Sequence, residues 1–149
     1  MTGSSMSLKT RFAISLIGLG AAFGAGTAHA DTVAVVSAKS PAVALSKSQV
    51  VEIFLGKVNR FPDGSLAVPV DQPEGSPARD EFYVTFAGLP AAKLKAYWAK
   101  IIFTGRGQPP RTAADANEIR KLLAADPHVI AYVDRSAVDG SMKVLAGAR

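Results

Sequence analysis

Residues 66–83 contain the pattern that most constrains the fold, an apolar strand that leads through a short turn directly into a helix. Residues 66–70 predict the strand, Gly75-Ser76 the turn, and Pro77 the first helical residue, a position at which proline is favoured. A helix N-terminus has unpaired backbone N–H groups and a partial positive charge. With the serine hydroxyl and the Arg79 guanidinium nearby, the pattern predicts an anion-binding site.

The first 30 residues have the layout of a secretory signal peptide, with a basic start, a short apolar run and an Ala-His-Ala sequence at 28–30. We predict cleavage after Ala30 and a periplasmic domain of residues 31–149. A retained membrane anchor is the alternative. Four glycines interrupt the apolar run, at 18, 20, 24 and 26, whereas a spanning helix needs about 20 consecutive apolar residues. We therefore expect no membrane span after cleavage.

Composition narrows the class of partner. The chain has no cysteine, so a secreted domain of this size has to be stabilised by packing alone. Its net charge of +5 falls to +3 after residue 30, with 15 basic residues against 12 acidic ones. This excess is too small, and too scattered along the chain, to indicate binding of nucleic acid. It suits a small anion.

Predicted strands and helices alternate along the chain. The strands are predicted at 33–38, 66–70, 128–134 and 142–145, and the helices between 46 and 56, 77 and 88, 90 and 103, and 113 and 125. This order predicts one α/β domain with a mostly parallel sheet flanked by helices. Ligands of such sheets bind beyond the carboxyl ends of the strands, where the turn at 74–76 lies.

The candidate site residues each have a structural alternative. Ser76 can cap the helix or donate its hydroxyl to an anion. Arg79 can bind an anion through two N–H groups, or pair with a carboxylate such as Glu74 or Asp80. Gly75 gives the turn backbone freedom in both cases. The second basic loop, which contains Arg106, fits a solvated connection better than a binding site.

No pattern in the sequence indicates an enzyme. The serine at 76 lies in Glu-Gly-Ser-Pro-Ala, which differs from the Gly-x-Ser-x-Gly turn of hydrolases. His128 is the one histidine after residue 30, and no cluster of His, Asp and Glu has the spacing of metal ligands. We therefore predict no catalytic residue, no metal and no cofactor.

Several motifs, taken in order, resemble the phosphate-binding proteins of ABC transporters. They are Phe-Leu-Gly-Lys-Val at 54–58, Pro69-Val70, Glu74-Gly75-Ser76, Arg79, Phe82-Tyr83 and Ala-Tyr-Val-Asp at 131–134. The resemblance runs from about residue 33 to residue 144. It implies a single lobe of the type II periplasmic binding protein fold, a family that usually closes two lobes over its anion.

The same resemblance implies which residues bind the ligand. The family's second lobe has a Gly-Ser-Gly-Thr-Arg type of turn that holds phosphate oxygens, and its counterparts here are Gly75, Ser76, Ala78 and Arg79. Pro77 and Ala78 replace the second glycine and the threonine of that turn. Proline removes one N–H donor and alanine removes a hydroxyl.

The resemblance implies a periplasmic solute-binding-like protein that binds phosphate or a related oxyanion at the Gly75-Ser76 helix N-terminus. Its expected role is ABC-type phosphate uptake or sensing, with a permease or a sensor as partner. A homodimer that places two lobes face to face could restore a closed site. The alternative is a periplasmic protein-interaction module of the same fold that has lost its ligand.

Overall fold

Strands and helices alternate in the computed structural model, which describes residue 3 and residues 31–147. The strands are β1 (Thr32–Ser37), β2 (Val68–Asp71), β3 (Arg111–Thr112), β4 (Val129–Asp134) and β5 (Met142–Gly147), and the helices are α1 (Lys47–Phe54), α2 (Pro77–Ala87), α3 (Ala91–Phe103) and α4 (Ala116–Ala125). The predicted signal peptide and its cleavage after Ala30 lie outside the described residues, apart from residue 3, and stay predictions.

The five strands form one mixed sheet in the order β3-β2-β4-β1-β5. β2 pairs in parallel with both β3 and β4, and β1 pairs antiparallel with β4 and β5. Four strands therefore point the same way and β1 runs against them, which confirms the predicted α/β fold with a mostly parallel sheet. Because β2 and β4 are parallel, their carboxyl ends, Asp71 and Asp134, lie at the same edge of the sheet.

Helices cover both faces of the sheet. Alternate residues of β1 face opposite sides, so that Ala34 and Val36 pack with α1, α2 and α3 while Val33 and Val35 pack with α4. The first face has an aromatic centre, in which the rings of Phe82 and Tyr132 stack with their centroids 4.0 Å apart. Burial of these rings, together with the aliphatic side chains around them, stabilises that face.

The helix boundaries follow from capping residues that the sequence shows. Ser46 and Gln49 form a capping box at the start of α1, and Gly88 ends α2 in the left-handed conformation with φ 64°. α4 begins later than predicted, at Ala116, because the Asp115 side chain caps it. No helix among residues 31–147 is long and apolar enough to cross a membrane.

The sequence analysis missed β3. This two-residue strand lies at the edge of the sheet, where Arg111 pairs with Val70 and Thr112 with Asp71. The sequence instead predicts a loop over residues 104–111. Two exposed residues have no periodicity of their own, and the pairing depends on a contact with a strand about 40 positions earlier in the chain.

Candidate functional site

The candidate site lies at the carboxyl end of β2. The strand ends at Asp71, a short connection follows, and α2 begins at Pro77 with Ser76 as its N-cap. Gly75 has a φ of 85°, a left-handed conformation that glycine adopts without strain. The predicted strand, turn and helix start are therefore present, and they bring Gly75, Ser76, Ala78 and Arg79 together.

Ser76 acts as a helix cap. Its Oγ accepts a hydrogen bond of 3.2 Å from the Arg79 backbone N–H, and its carbonyl accepts one of 3.1 Å from the Asp80 N–H. Capping uses a lone pair of the hydroxyl and leaves its O–H free to donate. Because Pro77 has no N–H, the amide of Ala78 is the first-turn donor without an acceptor among the described residues.

Arg79 pairs with a carboxylate that the sequence analysis did not consider. Its Nε lies 3.6 Å from Oδ1 of Asp71, and its guanidinium lies over the Tyr83 ring, 5.5 Å from the centroid. Arg79 therefore does pair with a carboxylate, as one alternative held, but the partner is Asp71 and not Glu74 or Asp80, the examples given from the sequence. The side chain of Glu74 instead pairs with Lys95, at 3.6 Å between exposed groups.

Asp71 is the centre of a buried polar network. Tyr83 donates a hydrogen bond of 2.8 Å to Oδ2, and Oδ1 accepts from the Tyr132 hydroxyl and, at 2.8 Å, from the Gln72 N–H. Burial raises the pKa of the Tyr83 and Tyr132 hydroxyls above its ordinary value, and the negative charge of Asp71 raises it further. Both tyrosines therefore stay protonated and keep donating to the carboxylate.

The sequence does contain a signal for this network. In the sequence, Asp71 directly follows the predicted apolar strand at 66–70, and in the structure it is only 3% exposed. An aspartate is almost never fully buried unless it is paired. The position of Asp71 after an apolar strand indicated that its carboxylate would have hydrogen-bond partners. Which residues these partners are depends on tertiary contacts with α2 and β4.

A cavity of about 290 Å³ adjoins Arg79. Its lining combines charged and apolar side chains: Glu74, Arg79, Lys95, Trp98, Ala99, Ile102 and Pro109. α3 supplies most of this wall, and the loop that follows α3 supplies Pro109. The Arg79 side chain therefore contacts Asp71 and Tyr83 and also lines this cavity.

The other basic side chains and the histidine have the surroundings expected of structural or solvated residues. Arg111 pairs with Glu118 at 3.6 Å, and Arg106 lies in an exposed loop. His128 contacts Asp126, its neighbour two residues away, at 3.0 Å. Within residues 31–147, no group of three or more His, Asp and Glu side chains is placed to hold a metal ion.

The fold is similar to that of solved phosphate-transport receptors. An ABC-type phosphate transport receptor from Vibrio cholerae matches with a TM-score of 0.60 and 15% identity, over 78% of this chain and 46% of that one. A putative phosphate ABC transporter substrate-binding protein with bound phosphate, from Clostridium perfringens, matches with a TM-score of 0.60 and 20% identity, over 78% and 45%. PstS from Borrelia burgdorferi matches with a TM-score of 0.54 and 10% identity, over 78% and 47%.

These likenesses confirm the resemblance at the level of the fold. The chain spans slightly less than half the length of each of these proteins, the share expected of one lobe. The first two are described as a transport receptor and a substrate-binding protein rather than as enzymes. No protein-family profile and no curated protein matches the sequence.

Proposed function

We propose that this protein binds phosphate or a related small oxyanion at the start of α2, as a periplasmic solute-binding-like protein of phosphate uptake or sensing. Gly75 and Ala78 contribute backbone N–H groups, Ser76 its hydroxyl, and Arg79 its guanidinium. A signal peptide directs export and is removed after Ala30, and the partner is a permease or a sensor in the membrane.

One observation carries this proposal: a fold shared with phosphate-transport receptors places a serine-capped helix N-terminus and an arginine at the end of a parallel strand. The dipole of α2 and the charge of Arg79 both favour an anion there. The unpaired Ala78 amide and the free Ser76 O–H provide two donors for its oxygens.

Two features limit the affinity. Asp71 lies 3.6 Å from Arg79 and competes with the anion for its positive charge. The site is also open on one side, where solvent weakens charge-assisted hydrogen bonds. We therefore expect weaker binding than in a closed two-lobed site, and a dependence on salt.

Calorimetric titration of the purified protein with inorganic phosphate tests the proposal. We expect binding, and a loss of at least tenfold in affinity in Arg79→Gln, because a charge-assisted contact contributes about 1.5–3 kcal/mol. Arg79→Lys keeps the charge without the planar two-donor geometry, so its affinity is expected to lie in between. Arg106→Gln, in an exposed loop, is the matched control and is expected to leave the affinity unchanged.

Absence of binding at millimolar phosphate would contradict the proposal, as would equal affinities for all three variants and the parent. Thermal melting of each variant shows whether it is folded. If Arg79→Gln is unfolded, Arg79→Lys still decides the outcome, because it keeps a cation beside Asp71.

The second candidate, a protein-interaction module, is favoured by the end of α3. Phe103 is 92% exposed and Ile102 is 51% exposed, and neighbouring large apolar side chains on a surface are typical of contact sites. Light scattering with and without phosphate separates a monomer, a constitutive dimer and a phosphate-driven dimer. A monomer at all phosphate concentrations would exclude a homodimer that closes two lobes over the anion.

A further inference from the structure

We propose that the 290 Å³ cavity beside Arg79 binds an organic oxyanion, a phosphomonoester or phosphonate with a small apolar substituent. This inference rests on the proposed function, since Arg79 serves both. It adds a second subsite, formed by α3 and Pro109, for the group attached to the phosphorus or its ester oxygen. The cavity, at about 290 Å³, lies just below the usual range of about 300–1,000 Å³ for ligand pockets, which suits a small ligand.

Two buried donors point to an oxyanion. The Arg79 Nε–H and the Trp98 indole N–H are both buried and have no hydrogen-bond acceptor, and both residues line the cavity. In the described part of the chain, they are the buried side-chain donors that lack an acceptor. The Asp71 oxygen 3.6 Å from Nε is too far for a hydrogen bond. Neither nitrogen is accessible from the cavity in its present orientation, so an oxyanion bound against Arg79 and Trp98 would supply the missing acceptors once these side chains turn toward it.

The charges of the cavity also favour an anion. Arg79 and Lys95 are positive and Glu74 is negative, so the lining has an excess of one positive charge. The Lys95–Glu74 pair lies at the exposed rim, where solvent screens it. Arg79 is the charge at the inner end, with its side chain only 14% exposed.

The rest of the cavity lining is apolar and favours a ligand that carries an apolar group. Trp98, Ala99, Ile102 and Pro109 form a continuous wall next to Arg79. Inorganic phosphate has no atom that benefits from this wall, whereas an aryl or alkyl substituent would remove apolar surface from water. Trp98 is 94% buried as a residue, since 6% of it is exposed, and presents a fixed aromatic surface.

The fluorescence of Trp98 provides the readout, because it is the only tryptophan of the chain. The purified protein is titrated with phenylphosphonate, with inorganic phosphate and with neutral benzyl alcohol. We expect phenylphosphonate to bind about tenfold more tightly than inorganic phosphate and to change the Trp98 emission. Benzyl alcohol, which lacks the anion, is expected to leave the emission unchanged.

Variants in the wall locate the subsite. Ala99→Phe fills the apolar part of the cavity from an exposed position and is expected to abolish the advantage of phenylphosphonate while leaving phosphate affinity unchanged. Ile102→Ala is expected to reduce the advantage several-fold. Val84→Ala is the matched control, since Val84 is also 51% exposed on a helix but lies outside the cavity.

The outcomes separate this inference from the proposed function. If phosphate binds and phenylphosphonate binds no more tightly, the second subsite is overturned and the anion site stands. An advantage that survives Ala99→Phe also overturns the subsite. If phenylphosphonate binds and phosphate does not, the subsite is supported and inorganic phosphate is excluded as the ligand. If neither binds, both proposals fail.

Discussion

At the scale of single residues, the proposed anion site depends on how Arg79 would divide its charge between Asp71 and a bound anion. The two side chains are 3.6 Å apart, close enough for strong Coulomb attraction but without a hydrogen bond. Asp71 already has three donors, from Tyr83, Tyr132 and Gln72. Asp71 therefore needs no hydrogen bond from Arg79, so its negative charge attracts the guanidinium without occupying the N–H groups that a ligand would use.

Asp71→Asn is expected to raise the affinity for phosphate several-fold, because it removes the negative charge that competes for Arg79. It is also expected to lower the free energy of unfolding by about 1–3 kcal/mol, since the amide replaces an acceptor in a buried network. Calorimetry measures the first effect and urea denaturation the second. Asp63→Asn, at an exposed turn, is the control. Weaker phosphate binding in Asp71→Asn would contradict this account of Arg79.

Tyr83 and Tyr132 predict how stability depends on pH. Their folded pKa values lie above the unfolded value of about 10, so the folded state holds its protons more tightly than the unfolded state. This stabilisation is fully present below pH ~10 and is lost as the pH rises beyond it. Thermal melting between pH 8 and 11.5 is expected to show this loss. The Tyr83→Phe, Tyr132→Phe double variant is expected to have a shallower alkaline decline, and an unchanged decline would contradict the assignment.

At the scale of elements, two helices of the same domain have the same kind of cap. In α1 and in α2, a serine Oγ accepts a hydrogen bond of 3.2 Å from the backbone N–H three residues on. The surroundings differ, because the cap of α2 lies next to Arg79 while that of α1 has no arginine among its capping contacts. Comparing variants of these two serines therefore separates the structural role of a helix cap from a role in anion binding.

Ser76→Ala and Ser46→Ala are each expected to cost about 1 kcal/mol of stability, the usual cost of losing a serine cap. Only Ser76→Ala is expected to weaken phosphate binding, because it also removes the O–H that donates to the anion. Urea denaturation and calorimetry with phosphate measure the two effects. Equal phosphate affinities in both variants would assign Ser76 to capping alone.

The strands and helices could be predicted where the chain carries local signals. Ser46, Pro77 and Gly88 mark helix ends through backbone chemistry that acts within a few residues. The sheet class followed from the alternation of elements. β3 and the antiparallel direction of β1 could not be predicted, because both depend on pairing between distant parts of the chain.

The site was predictable in part for the same reason. Gly75, Ser76, Ala78 and Arg79 are neighbours in sequence, so a local pattern predicted that they come together. Tyr132, which donates to Asp71, lies 61 positions later in the chain. The cavity beside Arg79 is formed largely by residues of α3. These contacts determine the electrostatics of the site. They join residues that are far apart in the chain, so no sequence pattern predicts them.

At the scale of the whole molecule, the fold corresponds to slightly less than half of each of the three solved proteins compared above. The cavity is lined both by Arg79, from the proposed anion site in the first turn of α2, and by Ile102, near the end of α3. A partner that covers this region would exclude water from the anion and strengthen its hydrogen bonds. Ligand binding and partner binding are therefore expected to be coupled.

Chemical-shift mapping by NMR tests the central claim most directly, because it reports both binding and its location. The ¹⁵N-labelled protein is titrated with inorganic phosphate, and the amides of Gly75, Ser76, Ala78 and Arg79 are expected to shift together and saturate. The amides at the start of α1, residues 47–49, belong to a helix with an equivalent serine cap and are expected to stay in place. Equal shifts at both helix starts, or none at the start of α2, would contradict the proposed anion site.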